Sequence, residues 1–173
     1  GTWCTTSHAA ERDQAGFSSI GVLPQAPQFY KMEFGGAKIT AISDGTIPLN
    51  TSKLLLGANS KSMRQHLHNA FVGEDVETSI NVFLLEMDGR RILVDTGAGE
   101  LFSAFNIGGK LFQNLKALCI EPGDITDILI THVHVDHSGG LTIAKNRMFP
   151  KAVVHVGKPD VDFFLDPAQA KTS

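Results

Sequence analysis

The sequence has little cysteine, no long hydrophobic run and no cluster of basic residues. Its two cysteines, Cys4 and Cys119, are too few to form a disulfide framework. No apolar stretch approaches the roughly 18–20 residues of a membrane span, so no membrane insertion is predicted. The formal net charge of -3 argues against a surface that binds nucleic acid. A Gly-x-Ser-x-Gly segment, which would indicate a serine nucleophile, is also lacking.

What remains is the composition of a soluble globular domain, with 173 residues of which 42% are hydrophobic and 19% charged. Residues 1–24 are mixed and polar and predict a tail or arm, whereas residues 25–173 predict one domain. The first 24 residues contain no apolar signal-peptide core.

Residue patterning predicts an α/β fold with a mixed sheet that helices cover on one face. Apolar alternation and turn dipeptides predict the strands, and apolar residues at helical spacing predict the helices. The predicted strands are 29–34, 38–43, 79–87, 90–95, 128–131 and 152–156. The predicted helices are 60–71, 109–118, a segment after Gly140, and 160–165.

The most informative segment is 131–140, where three histidines and one aspartate follow the apolar strand 128–130. Side chains two apart in an extended chain point to the same side, so His132 and His134 are predicted to grip one ion. Asp136 and His137 follow as the chain turns and are predicted to serve a second ion. Imidazole with carboxylate suits Zn²⁺ and similar metals. The alternative is that these are surface or core histidines that bind no metal. Against it, crowding so many polar side chains without a bound ion costs free energy.

The sequence His-x-His-x-Asp-His after an apolar strand resembles the signature of the metallo-β-lactamase-fold hydrolases. Segment 92–97, Ile-Leu-Val-Asp-Thr-Gly, is similar to the loop that precedes that signature in the family. Further segments resemble the methyl parathion hydrolase-like and lactonase branch: 25–32, 41–46, 77–82, 149–154 and 162–165.

The resemblance implies the N-terminal half of a four-layer αββα sandwich, with the second half absent from this chain. It implies that a third histidine, a bridging aspartate and a further histidine come from that second half, so the 173 residues alone are expected to be inactive. The missing half is expected from the same or another chain, and a homodimer is a third possibility. His155 is the one later histidine and is interpreted as structural or solvent-facing. Members of the branch are often exported, so localisation stays open between an exported or periplasmic protein with its signal removed and a cytoplasmic one.

The cofactors implied are two divalent ions, with zinc first and manganese, cobalt or iron as alternatives. By resemblance, His132 and His134 bind the first ion and Asp136 and His137 the second. Alternatively, Asp136 has a catalytic role, serving mainly as a proton acceptor when only one ion is bound. Asp95 is predicted to orient a ligand or its loop through a hydrogen bond, with plain loop capping as the alternative.

Phe102 and Phe164 fall where the branch places aromatic residues of the substrate pocket, and core packing is the alternative for both. The predicted function is a metal-dependent hydrolase that uses a metal-bound hydroxide on a small phosphotriester, aryl ester or lactone. Two alternatives stay open. One is a non-catalytic half-domain that binds metal or a partner, and the other is a thioester hydrolase of the glyoxalase II type.

Overall fold

The computed structural model describes residues 28–57, 59–102 and 108–168. The strands are β1 (Phe29–Phe34), β2 (Ala37–Asn50), β3 (Asp75–Met87), β4 (Arg90–Val94), β5 (Asp127–Ile130), β6 (Thr142–Ile143), β7 (Asn146–Arg147) and β8 (Val153–Val156). The helices are α1 (Thr51–Leu54), α2 (Ser60–Asn69), α3 (Leu111–Ala117), α4 (Val135–Ser138) and α5 (Lys158–Phe164). The predicted tail 1–24 lies outside the described residues, as does Cys4.

Six strands form one mixed sheet in the order β1-β2-β3-β4-β5-β8. The first four pair antiparallel, whereas β4–β5 and β5–β8 are parallel. The β3–β4 hairpin closes at Asp88 and Gly89. Both residues have positive φ (50° and 74°), as a two-residue type I′ turn requires. The parallel part matters most here, because the carboxyl ends of β4 and β5 meet at one edge of the sheet.

One face of the sheet is packed and the other is open. Burial alternates along β3, with Val82 and Leu84 fully buried. Leu111 and Leu115 of α3 belong to the same buried cluster, which covers that face. On the opposite face, Phe83, Leu129 and Val153 are 39%, 40% and 59% exposed.

The mixed α/β fold is confirmed, and one local prediction is wrong. No α-helix begins directly after Gly140. Instead, a 3-10 turn over Gly139–Leu141 leads into the small β6–β7 hairpin. Ala144 and Lys145 make its turn with positive φ (47° and 65°), a conformation that breaks a helix. In addition, β2 and β3 extend beyond their predicted lengths, because the two strands continue pairing as far as Asn50 and Asp75.

In the described part of the chain, no helix has the length and apolar character needed to traverse a lipid bilayer.

Asp127, at the start of β5, forms a polar cluster away from the predicted metal motif. Its carboxylate accepts hydrogen bonds from Arg90 and Thr126 and contacts His155 at 3.1 Å. These contacts, the Arg90 hydrogen bond first, lower the pKa of Asp127 from 3.8 to about 2. His155 is exposed and also has a structural partner in Asp127, in keeping with both alternatives given from sequence.

We expect this cluster to make the free energy of unfolding depend on pH in the acid range. A carboxyl whose pKa is depressed in the folded state stabilises the fold above its unfolded pKa and loses that contribution as the pH falls. For Asp127 the loss should occur between pH 3.8 and about 2. Urea unfolding from pH 2 to 7 should show a smaller decline in this window for Asp127→Asn than for wild type. Glu77→Gln, an exposed change on β3, is the control and should keep the wild-type decline; an equal decline in Asp127→Asn would contradict the prediction.

Candidate metal centre

The predicted metal motif lies where β5 ends, at the edge shared with β4. β5 stops at Ile130, and segment 131–134 leads into the short helix α4. The loop that follows β4 (95–99) runs beside this segment, since Asp95 N–H donates to the carbonyl of Leu129. Two loops from parallel strands thus meet at one place, as expected at the carboxyl edge of such a sheet.

Three imidazoles gather in the motif. The ring of His132 lies 4.6 Å from that of His134 and 4.0 Å from that of His137, measured between centroids. The first two rings are neighbours, as predicted, but strand alternation is not the cause. β5 has already ended, and the His134 N–H donates to the His132 carbonyl at 3.0 Å, so a tight turn brings the rings together. His134 is exposed, whereas His132 and His137 are half-buried.

Asp95 makes the most specific contact in the centre. Its Oδ2 lies 2.8 Å from Nδ1 of His137, and its Oδ1 accepts the Thr131 N–H at 2.8 Å. The carboxylate is 5% exposed, and the residue has a positive φ of 64°. Because a carboxylate accepts hydrogen bonds, this contact uses Nδ1 of His137 as the donor and directs Nε2 away from Asp95. This is the arrangement by which a carboxylate orients a metal-binding histidine.

Asp136 is the second residue of helix α4 and faces His137. Its Oδ2 lies 3.3 Å from Nε2 of His137, and its side chain is 35% exposed. Within residues 28–57, 59–102 and 108–168, no three side chains of His, Cys, Asp or Glu are already arranged as a metal-binding group. The donor chemistry nevertheless fits a borderline divalent ion, because imidazole nitrogens and one carboxylate are accessible side by side. The ligand roles of these four residues stay a prediction.

Backbone contacts clamp the two loops together. Thr96 donates both its N–H (2.7 Å) and its hydroxyl (3.0 Å) to the carbonyl of His137. Gly140 N–H donates to the carbonyl of Gly97 at 3.0 Å. A Cβ on Gly140 would collide with the Thr96 carbonyl, so this close approach requires glycine.

The two predicted pocket aromatics have different positions. Phe164, in α5, lies edge-on to His134 with 6.4 Å between ring centroids, and Phe163 packs against it at 5.0 Å. Phe102 is half-buried and directly precedes residues 103–107, which are outside the described part. Phe164 therefore borders the histidines, and a pocket role for either residue stays a prediction.

Two residues near the centre were given no role from sequence. Thr131 donates its hydroxyl to Asp95 and contacts Nδ1 of His132 at 3.1 Å, linking one carboxylate to a second imidazole. Asp44 is fully buried on β2 and holds the loop 95–99 from behind. The sequence signal for Asp44 was an aspartate in the segment Ser-Asp-Gly-Thr (43–46), which continues a predicted strand, at a position where an apolar residue is usual.

Removing the Asp95 carboxylate should weaken metal binding. In Asp95→Asn one oxygen must serve both the Thr131 N–H and the His137 Nδ1–H, so the His137 ring loses its fixed orientation. Loss of such a partner typically costs about 10- to 100-fold in metal affinity, and we expect a decrease in this range. Competition with a chromophoric chelator measures it. Asp127→Asn, a matched buried carboxylate elsewhere in the sheet, should bind metal like wild type; equal affinities in all three proteins would show that Asp95 only caps its loop.

Comparison with known proteins identifies a family and several similar folds. The model of the metallo-beta-lactamase superfamily matches residues 75–167. The structure of the hydrolase AbOPH of the beta lactamase superfamily is 33% identical, with a TM-score of 0.77, over 86% of this chain and 51% of that one. AidC, a dizinc quorum-quenching lactonase, is 28% identical, with a TM-score of 0.74, over 80% of this chain and 48% of that one.

A more distant structure shows the fold alone. It is a probable metal-dependent hydrolase from Staphylococcus aureus, 19% identical with a TM-score of 0.66, over 82% of this chain and 55% of that one. No curated protein matches the sequence.

The chain spans about half the length of these solved structures. The family model nevertheless covers the motif, the loop 95–99 and both parallel strand pairs. The protein therefore belongs to the metallo-beta-lactamase superfamily.

Proposed function

We propose that the protein acts as a metal-dependent hydrolase on an ester-like bond. The observation that carries this proposal is the imidazole cluster at the carboxyl edge of β4 and β5, in which Asp95 contacts Nδ1 of His137 and Nε2 faces Asp136. When bound, a divalent ion lowers the pKa of water and polarises a carbonyl or phosphoryl oxygen. In this proposal His132 and His134 hold one ion, and Asp136 with His137 holds another.

The protein side chains then have separate tasks. Asp95 and Thr131 orient the rings, and Asp136, partly exposed beside His137, is proposed to accept a proton from the attacking water when only one ion is bound. The chain spans about half the length of the similar solved structures, and we propose that further ligands come from a second half of the fold. That half is proposed to come from the same polypeptide or from another one.

The surroundings favour a small, apolar substrate. Phe164, 43% exposed, lies beside His134, and Phe163, 54% exposed, packs against Phe164, so the pair offers an apolar contact for an aryl group or an acyl chain. Phosphotriesters and aryl esters are the leading class, and lactones follow, in keeping with the likeness to a lactonase. Thioesters are the third class.

A hydrolysis screen of the full-length protein tests this function. The substrates are a paraoxon-like triester, an aryl acetate, an acyl lactone and an acyl thioester, each assayed as prepared, after chelation, and after return of Zn²⁺, Mn²⁺ or Co²⁺. We expect hydrolysis of at least one substrate that chelator abolishes and metal restores. Hydrolysis that is indifferent to chelator would contradict the proposal.

A second candidate is a non-catalytic half-domain that binds metal or a partner. The observation in its favour is that the described residues contain no preformed group of three ligands. It predicts bound metal with no hydrolysis of any of the four substrates, even in the full-length protein, so the same screen separates the two functions.

A further inference from the structure

A buried carboxylate lies behind the metal centre and outside the predicted ligand set. Asp44 is fully buried near the middle of β2, where the pairing register with β3 shifts between Ser43 and Gly45. Such a bulge re-aims the side chain relative to regular strand pairing. The buried carboxyl of Asp44 must therefore find partners within the protein.

Those partners are backbone N–H groups from two separate segments. Oδ2 accepts the N–H of Ala98 and of Gly109, both at 2.8 Å, and Oδ1 accepts the N–H of Leu111 at 2.8 Å. The main-chain carbonyl of Asp44 also accepts the Lys110 N–H at 3.1 Å. One residue thus joins the loop 95–99 to the start of α3, across 54 to 67 positions in sequence.

The space around the carboxylate is shaped to fit it. Gly97 has a φ of +69°, and a Cβ there would overlap the carboxyl carbon of Asp44. Gly108 has a φ of +66°, and a Cβ there would lie 2.9 Å from the Ala98 methyl and 3.1 Å from Oδ2. Both glycines have conformations that side chains rarely adopt and both touch the same carboxylate.

The loop that Asp44 holds is the one that touches the metal motif. Ala98 lies three positions after Asp95, which bonds the His137 ring, and two after Thr96, which bonds the His137 carbonyl. Displacement of Ala98 and Gly97 would therefore move the Asp95 carboxylate and the backbone clamp together. Asp44 itself touches neither His137 nor any other predicted ligand through the hydrogen bonds described.

We propose that Asp44 is a positioning residue for the metal centre, which fixes the loop 95–99 so that Asp95 orients the imidazole of His137. This inference rests on the proposed metal site, but it concerns a hydrogen-bonded network that exists without the ion. Its test can therefore fail or succeed independently of the proposed hydrolysis.

A carboxylate suits this position because every neighbour is a donor. Two acceptor oxygens satisfy three N–H groups, whereas an asparagine amide would direct its NH₂ at one of them. An N–H left facing another donor in a buried site loses its hydrogen bond and pays the desolvation cost. Burial raises the pKa of Asp44, and the hydrogen bonds from Ala98, Gly109 and Leu111 act against that rise.

The variant Asp44→Asn, in the full chain without metal, tests the proposal by NMR. We expect the ¹⁵N signal of His137 Nδ1 to move towards that of a ring with mixed tautomers, because Asp95 no longer holds it. We also expect amide exchange at Thr96 and Gly140, which do not bond Asp44, to accelerate by roughly tenfold or more relative to amides in the centre of β3.

Asp127→Asn is the matched control, because it removes a buried carboxylate of the same sheet at the opposite end of β5. It should leave the His137 signal and the exchange at Thr96 and Gly140 unchanged. The proposal is overturned if Asp44→Asn keeps the wild-type His137 signal, or if it accelerates all amides equally, since a merely structural role would do the latter.

If Asp44→Asn does not fold, a measurement on the wild-type protein tests whether Asp44 positions the loop 95–99. Exchange in low, sub-denaturing urea should show the amides of Ala98, Gly109, Thr96 and Gly140 opening in one step with a common urea dependence. Opening of Thr96 and Gly140 in a step separate from Ala98 would overturn the proposal. In the full-length enzyme, the metal affinity of Asp44→Asn should fall as it does for Asp95→Asn, and if no metal binds to wild type, the proposed function fails while the NMR result stands.

Discussion

His134→Ala should lose most of its bound metal and nearly all hydrolysis in the full-length protein. The substitution deletes an exposed imidazole that lies beside His132, in the cluster that carries the proposed function. Loss of a ligand should cost more than the roughly 10- to 100-fold typical of losing a hydrogen-bond partner behind a ligand. Metal content by atomic emission, with kcat/KM measured on the substrate found in the screen, gives the result.

His155→Ala is the matched control for this experiment. His155 is also an accessible histidine in the parallel part of the sheet, but it contacts Asp127 and lies outside the motif. Its removal should leave the metal content at the wild-type value. A His134→Ala protein with unchanged metal stoichiometry would show that the motif has been misinterpreted.

The second large effect concerns the open face of the sheet. A polypeptide limited to residues 1–173 should self-associate or bind a hydrophobic dye. Phe83, Leu129 and Val153 on that face are 39%, 40% and 59% exposed, and strand β1 adds Tyr30 and Met32. Apolar area left in water costs about 25 cal/mol per Å², so a few hundred Å² amounts to roughly 5–10 kcal/mol, comparable to the whole stability of a domain.

Two lysine substitutions distinguish the effect of this open face from the effect of an exposed leucine elsewhere on the surface. Leu129→Lys places a charge on the open face and should reduce both dye binding and association. Leu56→Lys, at a residue that is 92% exposed and lies outside the sheet, should change neither. Sedimentation gives the oligomeric state, including the dimer in which two copies cover each other. A stable monomer that binds no dye would overturn the prediction, because the face would then have to be covered from within the chain.

Much of the sheet was predictable because its signals are local. The Asp88-Gly89 dipeptide between two apolar runs predicted the β3–β4 hairpin, which the structure contains. The apolar alternation of β1 predicted its pairing with β2. The prediction of a helix after Gly140 is wrong because Ala144 and Lys145 adopt a left-handed turn. Neither residue type favours that conformation, so the sequence does not predict it.

By itself, the sequence determined which chemistry is available: three imidazoles and a carboxylate in six residues after an apolar strand, with the lone Asp-Thr-Gly loop upstream. Only the tertiary structure decided how these groups are held. Asp95 reaches His137 across 42 positions, and Asp44 reaches Ala98 across 54. Periodicity describes neighbours a few residues apart, whereas these contacts depend on the parallel pairing of β4 with β5 and on the bulge in β2, which arise only when the whole sheet has assembled.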